Sequence, residues 1–283
     1  MPGRPDNGPI QSSGQLWQDE EGIWRCEGTP LPVSYPDDAA DLCFGVEDQS
    51  FWFEHRNQCI VHTVRRYCPS GPVVDLGGGN GKVAAALQSA GMDVALIEPD
   101  ARAAGNARRR GVTNVVVGTL NSVRLAPNSL QSVGIFDVLE HIPDEIGFLK
   151  EIGRALAPGG WLFVTVPAYQ WLWSSEDEYA GHQRRYTLGS LTSVLARAGL
   201  AVEYSSYLFG FVPFAALLRR ALPYRIGIRR SPKPGDMRSE HTLPRGPAGV
   251  ALKWLLAREA RLVQRAQRVP FGGSCLAAAR IAV

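Results

Sequence analysis

The stretch VVDLGGGNGKVAAAL, residues 73–87, concentrates residue types that could do chemistry. Asp75 follows a short apolar run, and four glycines occupy the five positions from 77 to 81. Glycine tolerates positive φ and lets a ligand approach the bare backbone. The pattern predicts a strand, a ligand-binding turn and a helix, so the first question is which ligand the turn holds.

Two phosphate-binding patterns are the first candidates. A P-loop requires GxxxxGK[ST], but Leu76 and Val83 stand where the pattern needs Gly and Ser or Thr, which excludes it. The dinucleotide pattern GxGxxA fits residues 79–84, and Glu98 lies nineteen positions beyond Gly79, where such a site binds the ribose.

S-adenosylmethionine is the third candidate. Asp75 lies two residues before the first glycine, where its charge would repel a pyrophosphate but attract an ammonium or a sulfonium group. Glu98 ends the next apolar run and can accept hydrogen bonds from both hydroxyls of a ribose. A nicotinamide cofactor makes the same demand on Glu98, so these residues alone leave both cofactors open.

The elements that must position these residues alternate along the chain. We predict strands at 72–76, 93–100, 112–118, 132–142, 161–167, 201–207 and 272–283, and helices at 51–67, 82–91, 101–111, 144–156 and 188–200. This alternation is typical of an α/β fold, a doubly wound, mostly parallel, Rossmann-like sheet of seven strands with helices on both faces. Ligands bind such sheets at the carboxyl ends of the strands.

Several ordered motifs across residues 72–207 resemble those of the class I S-adenosylmethionine-dependent methyltransferases. DLGGGNG resembles the first motif of that family, ALIEPD the second and FDVLEHIPD the fourth, and LAPGGWLFVTVP resembles a segment that recurs after it. FWFEHRN (51–57) and GHQRRYT (181–187) further resemble a bacterial subgroup, similar to methyltransferase types 11 and 12, with FWFxxRN and GHxRRYT motifs. The resemblance implies S-adenosylmethionine as the cofactor and methyl transfer as the reaction.

The resemblance also implies roles for individual residues. Asp75, Gly77 and Gly79 are expected to contact the methionine end of the cofactor, Glu98 its ribose and Arg56 its carboxylate. Where the family usually has an acid against the adenine, this chain has none, so adenine recognition is expected from backbone groups or a hydroxyl. The other expected contacts are Asp137, Val138 and Leu139 on the methionine side and Thr119 and Leu120 after the third strand.

Three residues are candidates for a base that takes the proton of a hydroxyl acceptor, in the order His141, His182, Tyr186. His141 follows the fourth strand, where capping the next helix explains it equally well. His182 and Tyr186 lie in a predicted loop that could close over a substrate, or whose arginines could pair with neighbouring acids on the surface. We identify no metal-ligating set, because the five cysteines are widely spaced without a CxxC pair.

The chain is expected to divide into five segments. These are a disordered tail over 1–14, an N-terminal cap over 15–70, an S-adenosylmethionine-binding core over 71–207, a basic helical insertion over 208–269 and the final strand over 270–283. Residues 219–268 hold thirteen Lys or Arg against three Asp or Glu, although the whole chain carries a net charge of only +3. This block indicates either an anionic partner or a solvated helical face.

Composition is ordinary for a globular protein, with 45% apolar and 20% charged residues. The cysteine usage, together with the lack of a visible signal peptide or spanning run, predicts a cytoplasmic location. We expect methyl transfer, by O-methylation, to a small-molecule or carrier-linked and anionic acceptor in a secondary-metabolite, glycan or lipid pathway. The insertion, 208–268, is a candidate for peripheral membrane contact, and nucleic acid is not favoured as a partner.

Two alternatives stay open at this level. One is a nicotinamide-dependent oxidoreductase, which rests on the GxGxxA pattern and Glu98. The other is a non-catalytic or partner-dependent protein of the same fold, whose basic insertion docks an anionic partner.

Overall fold

The computed structural model describes residues 9–27, 39–228 and 242–281. Its strands are β1 (Leu16–Gln18), β2 (Trp24–Cys26), β3 (Val73–Leu76), β4 (Val94–Glu98), β5 (Asn114–Val117), β6 (Leu130–Phe136), β7 (Leu156–Pro167), β8 (Leu200–Leu208) and β9 (Ser274–Ile281). They form one sheet in the order β1-β2-β5-β4-β3-β6-β7-β9-β8.

The helices are α1 (Ala39–Glu47), α2 (Phe51–Tyr67), α3 (Lys82–Ser89), α4 (Ala101–Arg109), α5 (Leu120–Val123), α6 (Glu145–Ala155), α7 (Ser175–Ala180), α8 (Leu188–Arg197), α9 (Val212–Ala216), α10 (Leu222–Arg225) and α11 (Pro247–Gln264). A π-helical turn (Leu217–Ala221) joins α9 to α10. Two 3-10 turns, Leu139–His141 and Gln170–Leu172, follow β6 and β7. No helix in the described parts of the chain is both long and apolar enough to cross a membrane.

The middle of the sheet is parallel, and the order in which strands are added changes sides at β3. From β3 the chain moves outward to β4 and β5, then returns to the other side of β3 for β6 and β7. The last strand, β9, is inserted between β7 and β8 and is antiparallel to both. The reversal at β3 is the topological switch point at which open α/β sheets bind ligands.

The predicted α/β, Rossmann-like sheet is confirmed, but the described residues form nine strands in it and not seven. The additional strands are β1 and β2, which extend the β5 edge: β2 is parallel to β5 and β1 antiparallel to β2. Each has only three residues, too few for an alternating pattern to be visible in the sequence.

Helix α2 has the predicted bounds. The side chain of Ser50 caps it by accepting a hydrogen bond from the Phe53 N–H at 3.3 Å. Its buried face includes Ile60 and Val64, which are fully buried, and it packs against α3 and α11. The helix forms where predicted because its apolar positions recur at helical spacing after a capping serine.

The strand predicted at 132–142 is wrong beyond Phe136. Asp137 takes a positive φ of 58°, and the chain then turns into the 3-10 turn. The apolar residues that suggested a longer strand pack elsewhere: Leu139 is fully buried in the core, and Val138 packs against that core. The strand predicted at 161–167 begins earlier, at Leu156, and its pairing with β6 shifts register between Leu130 and Ser132.

Both faces of the sheet are covered. One core cluster joins the sheet to α5, α6 and α8, and the other joins it to α2, α3, α4 and α11. Helix α11, from the predicted basic insertion, therefore contributes Leu256 and Val263 to the core. Of the predicted disordered tail, residues 1–8 lie outside the described residues, and Ser13 N–H donates to the Arg124 carbonyl at 2.9 Å.

Candidate active site

A cavity of about 2290 Å³ opens at the carboxyl ends of the parallel strands. The turns that follow the strands build its wall, namely residues 77–80 after β3, 98–100 after β4, 119–121 after β5 and 137–144 after β6. Small-molecule sites usually measure about 300–1,000 Å³. The space is therefore large enough for a cofactor and a second molecule beside it.

Among the glycines with positive φ in the turn between β3 and α3, two positions are tight and one is open; a Cβ on Gly78, which lacks positive φ, would also be tight, at 2.7 Å from Asp75 Oδ2. A Cβ on Gly77 would lie 2.8 Å from Val138 Cγ2, and a Cβ on Gly81 would lie 2.6 Å from Ala107 Cβ. A Cβ on Gly79 would meet no atom within 4 Å. All three glycines have positive φ. The outer two glycines serve packing, and Gly79 presents bare backbone to the cavity.

Asp75 lies under this turn at the end of β3 and is fully buried. Burial raises the pKa of Asp75 to about 7, the nearby Arg56 lowers it and Glu98 raises it. The Ala84 N–H also lowers this pKa, but it lies outside normal hydrogen-bond geometry, and neither carboxylate oxygen accepts a hydrogen bond in the described chain. A buried carboxylate that accepts no hydrogen bond is stabilised when a cationic ligand binds in the adjoining cavity.

Glu98 ties the glycine turn to the end of β4. Its Oε2 accepts from Gly79 N–H at 2.8 Å and its Oε1 from Asp100 N–H at 2.9 Å. Burial raises the pKa of Glu98 to about 7, while these two N–H groups lower it. Each carboxylate oxygen can accept a second hydrogen bond, and Glu98 forms part of the cavity wall, so both hydroxyls of a ribose fit here.

Arg56 and Asp137 form an ion pair at the end of β6. Asp137 Oδ1 also accepts from the Thr165 hydroxyl at 2.9 Å. Both members of the pair line the cavity, together with Val138. Arg56, which was expected to face the cofactor's carboxylate, is thus already bound to Asp137. Leu139 is fully buried in the core and is not part of the cavity wall.

Thr119 and Leu120 line the cavity after β5, as expected. Thr119 caps α5, since its side chain accepts from Ser122 N–H at 3.1 Å while the Ser122 hydroxyl accepts from Thr119 N–H at 2.8 Å. The hydroxyl of Thr119 is therefore used locally, and the backbone around it is the part left to recognise a ligand.

At the other side of the cavity, the loop after α7 brings His182 to the end of β6. His182 Nδ1 lies 2.8 Å from Asp177 Oδ1, and Arg185 donates to both oxygens of Asp177 at 2.7 and 2.9 Å. Burial alone would raise the pKa of Asp177, but the hydrogen bonds and charges of His182 and Arg185 hold it below its ordinary value. An ionised, fully buried carboxylate therefore orients the His182 ring.

We call Glu140, His141 and His182 the histidine corner. The two imidazole rings meet edge to face with centroids 4.9 Å apart. Burial and the neighbouring His182 lower the pKa of His141 to about 4. Glu140 is fully buried, its Oε1 lies 3.9 Å from His182 Nε2, and burial raises its pKa well above the ordinary range. All three residues belong to the cavity wall.

Tyr186, the third candidate base, lies elsewhere. Its hydroxyl donates to Glu145 Oε2 at 2.6 Å, its side chain is buried in the core, and it does not line the cavity. Burial and the Glu145 carboxylate raise its pKa above the ordinary value. The position of Tyr186 is therefore that of a residue that supports the loop, and the expectation that it acts as a base is not supported.

Glu140, Asp177 and Arg185 lie at or beside the cavity wall but were not among the predicted site residues. The arginines of the GHQRRYT loop, Arg185 among them, were expected either to face a substrate or to pair with acids such as Asp177 on the surface, and the spacing of Asp177 from His182 gave no sign that Asp177 would be buried. Glu140 stands next to a candidate base, but only the 3-10 turn after Asp137 directs its side chain into the interior. The sequence therefore indicated the motifs that contain these residues, but not which of their side chains would be buried beside the cavity.

A family model described as a methyltransferase domain matches residues 52–205, which is more than half of the chain. The chain belongs to this methyltransferase family. Its cofactor is S-adenosylmethionine, and the site fits that molecule, because Asp75 suits a cationic group, Gly79 offers open backbone and Glu98 offers acceptors for a ribose. The family match decides against the nicotinamide alternative and supports an enzyme.

Similar proteins and solved structures are also methyltransferases. A probable S-adenosylmethionine-dependent methyltransferase of Mycolicibacterium smegmatis is 26% identical over 61% of this chain and 68% of its own length. One of Mycobacterium tuberculosis is 27% identical over 53% of this chain, which spans just over half, 56%, of that relative. A crystal structure of a methyltransferase from Thermotoga maritima shares the fold, with a TM-score of 0.54, 18% identity, and coverage of 87% of this chain and 96% of that one.

Proposed function

We propose that the protein transfers the methyl group of S-adenosylmethionine to the oxygen of a hydroxyl group on a small-molecule acceptor. The observation that carries the proposal is the histidine corner, which places a carboxylate and two imidazoles on the cavity wall. A hydroxyl must lose its proton as it is methylated, whereas the lone pair of an amine needs no such help. A corner of groups that bind or accept protons fits the hydroxyl best.

The cofactor supplies a methyl group on a sulfonium, which leaves without activation. The protein therefore has to bind both molecules, align them and exclude water. We assign Asp75 to the ammonium of the methionine portion, Glu98 to the ribose hydroxyls and the backbone at Thr119 and Leu120 to the adenine. Arg56 holds Asp137 in place at the methionine end, since the two are paired.

The acceptor itself is proposed to be anionic or linked to an anionic carrier, as in natural-product, glycan or lipid pathways. The insertion contributes Leu218, Arg219 and Arg220 to the cavity wall. Arg220 is paired with Glu176, so the group that fits a molecule with an apolar portion and a phosphate or carboxylate is the Arg219 guanidinium beside an apolar side chain.

The same insertion is proposed to contact anionic membrane surfaces. The insertion exposes large apolar side chains on its helices and on the turns beside them, namely Phe214, Leu218, Leu222, Ile226, Val250, Trp254 and Leu255. Basic residues, including Arg225 and Lys253, alternate with them. A helical surface of this composition binds at the boundary between lipid headgroups and acyl chains.

The test of O-methylation uses matched acceptors. Purified protein is incubated with S-adenosylmethionine and with pairs of compounds that differ only in a hydroxyl, an amine or a carboxylate at one position. We expect S-adenosylhomocysteine, detected by mass spectrometry, with the hydroxyl members of a pair. Product formed only with amines would contradict the proposal, and bound S-adenosylmethionine without turnover would favour the non-catalytic alternative.

A further inference from the structure

The histidine corner gathers three groups that bind metal ions. One ligand atom from each of Glu140, His141 and His182 lies within 4.8 Å of the other two. They come from two separate segments, the 3-10 turn after β6 and the loop after α7, so the fold and not the local chain brings them together.

We propose that Glu140, His141 and His182 bind a divalent first-row transition-metal ion, and that this ion binds the hydroxyl oxygen of the acceptor. Metal binding stands on the geometry of the three side chains. Its role in methyl transfer rests on the proposed function. These ligands were not predicted from the sequence, because Glu140 and His141 are separated from His182 by about forty residues and no cysteine pair marks the site.

Glu140 supplies the first argument. Its side chain is fully buried, it forms part of the cavity wall, and neither oxygen accepts a hydrogen bond from another residue of the described chain. A carboxylate in such a position is costly unless a cation or a donor reaches it. A metal ion at the corner supplies that cation.

His182 supplies the second argument. Asp177 is an acceptor, so His182 donates through Nδ1–H, and Nε2 is the ring nitrogen that can bind a metal ion. That nitrogen lies on the side of Glu140, at 3.9 Å from Oε1. Histidine ligands in metal sites commonly donate their other N–H to a carboxylate in this way, which fixes the ring and strengthens the ligand. Arg185 in turn fixes Asp177.

The ligand types select the class of ion. Two imidazoles and one carboxylate suit zinc, manganese or iron, whereas calcium and magnesium prefer sites made of oxygen. Ligand atoms at about 2.0–2.2 Å from a shared ion lie about 3.3 Å from one another. The ligand atoms, which now lie within 4.8 Å of one another, would have to move closer together to share an ion, and three protein ligands would leave coordination positions open.

The chemistry then follows. A bound ion lowers the pKa of an oxygen that it coordinates, as it does for water. The acceptor hydroxyl releases its proton to solvent, its oxygen attacks the methyl carbon, and the carbon–sulfur bond breaks with the electron pair moving to sulfur. The products are the methyl ether and S-adenosylhomocysteine. His182 is a ligand in this reaction and not the base.

The test measures metal binding without any acceptor. Full-length protein is treated with EDTA, dialysed and titrated with Co²⁺, whose visible absorption reports ligand number. We expect one equivalent per chain, with loss of affinity of about 100-fold or more in Glu140→Gln and His182→Ala and of about 10- to 100-fold in Asp177→Asn. Matched controls are Glu54→Gln and His62→Ala on α2, which lie outside the cavity wall and should bind like the wild type.

S-adenosylmethionine affinity, measured in parallel, shows whether each variant is folded. Wild-type protein that binds the cofactor but not Co²⁺, or Glu140→Gln that binds Co²⁺ normally, would overturn the metal site. Methyl transfer undiminished by EDTA would remove the ion from the reaction while leaving the proposed function intact. If the protein binds the metal ion but methylates no hydroxyl acceptor, the metal site would be retained and the proposed O-methylation would be refuted.

Discussion

At the scale of single residues, the site depends on carboxylates that the fold buries without full compensation. Asp75 and Glu98 stand at the ends of adjacent strands, and burial raises the pKa of each to about 7. Burying these two carboxylates lowers the stability of the cofactor-free protein. The bound cofactor offsets that loss, because it brings positive charge and hydrogen-bond donors to both groups. Two predictions follow from this relation.

Asp75→Asn should weaken S-adenosylmethionine binding by about 10- to 100-fold, because it removes a charged partner of the ammonium while preserving the shape of the side chain. Isothermal titration calorimetry measures the dissociation constant. Asp93→Asn, at an exposed position just before β4, is the matched control and should bind like the wild type. Unchanged affinity in Asp75→Asn would refute the assigned contact.

The cofactor-free protein should become less stable as the pH rises from about 4 to about 7 on account of these two groups. Their folded pKa values of about 7 lie above the ordinary 3.8 and 4.5, so the folded state holds more protons in this range, and the free energy of unfolding falls as they are released. Urea unfolding at several pH values measures the slope. Asp75→Asn and Glu98→Gln should each flatten it, and a slope unaffected by either change would contradict the assignment.

At the scale of elements, the turn from β3 to α3 is held by contacts with its neighbours. Gly81 lies against Ala107 of α4, and Gly77 lies against Val138 after β6. The turn therefore packs against α4 on one side and against the segment after β6 on the other.

Gly81→Ala should lower the free energy of unfolding by about 1–3 kcal/mol more than Gly91→Ala does. Both glycines have positive φ, 73° and 83°, so both substitutions strain the backbone. Only at Gly81 would the new methyl group also meet Ala107 Cβ at 2.6 Å, whereas Gly91 has open space. Chemical denaturation of the two variants gives the difference, and equal losses would show that α4 simply moves away.

Elements also show how far the sequence alone reaches. Helix α2 was predicted to the residue, because the helical spacing of its apolar residues is a local signal. The end of β6 was not, since the positive φ of Asp137 depends on its contacts with Arg56 and Thr165, which come from distant parts of the chain. The glycine turn and its acids were predictable because they also rest on local sequence signals. The burial of Glu140 was not predictable, because it is set by tertiary packing.

At the scale of the whole molecule, the basic insertion is part of the domain. Glu259 of α11 accepts from the N–H groups of Phe209 and Gly210 at 2.6 and 2.9 Å, and lies 2.8 Å from His55 Nε2 of α2. One face of the insertion is thus anchored to the core. The opposite, exposed apolar surface is the one proposed to contact lipid.

Phe214→Ser and Ile226→Ser should each reduce binding to vesicles that contain anionic lipid by about tenfold or more, since each removes a side chain able to enter the lipid. The two side chains are 64% and 75% exposed. Binding of the wild type, followed by co-sedimentation, should also fall with added salt. Trp17→Ser, at the far edge of the sheet, is the control. Equal binding by all variants would argue against the lipid surface.

The place of β9 between β7 and β8 has a consequence for synthesis of the protein on the ribosome. When β8 has left the exit tunnel, its partner in the sheet has not yet been made, and β7 also lacks its neighbour. The cofactor-binding half, β3 to β7, can assemble early, but two open strand edges persist until residues 274–281 emerge. Such edges favour pairing with other chains, so nascent chains that stall before β9 are the forms of this enzyme most in need of a chaperone.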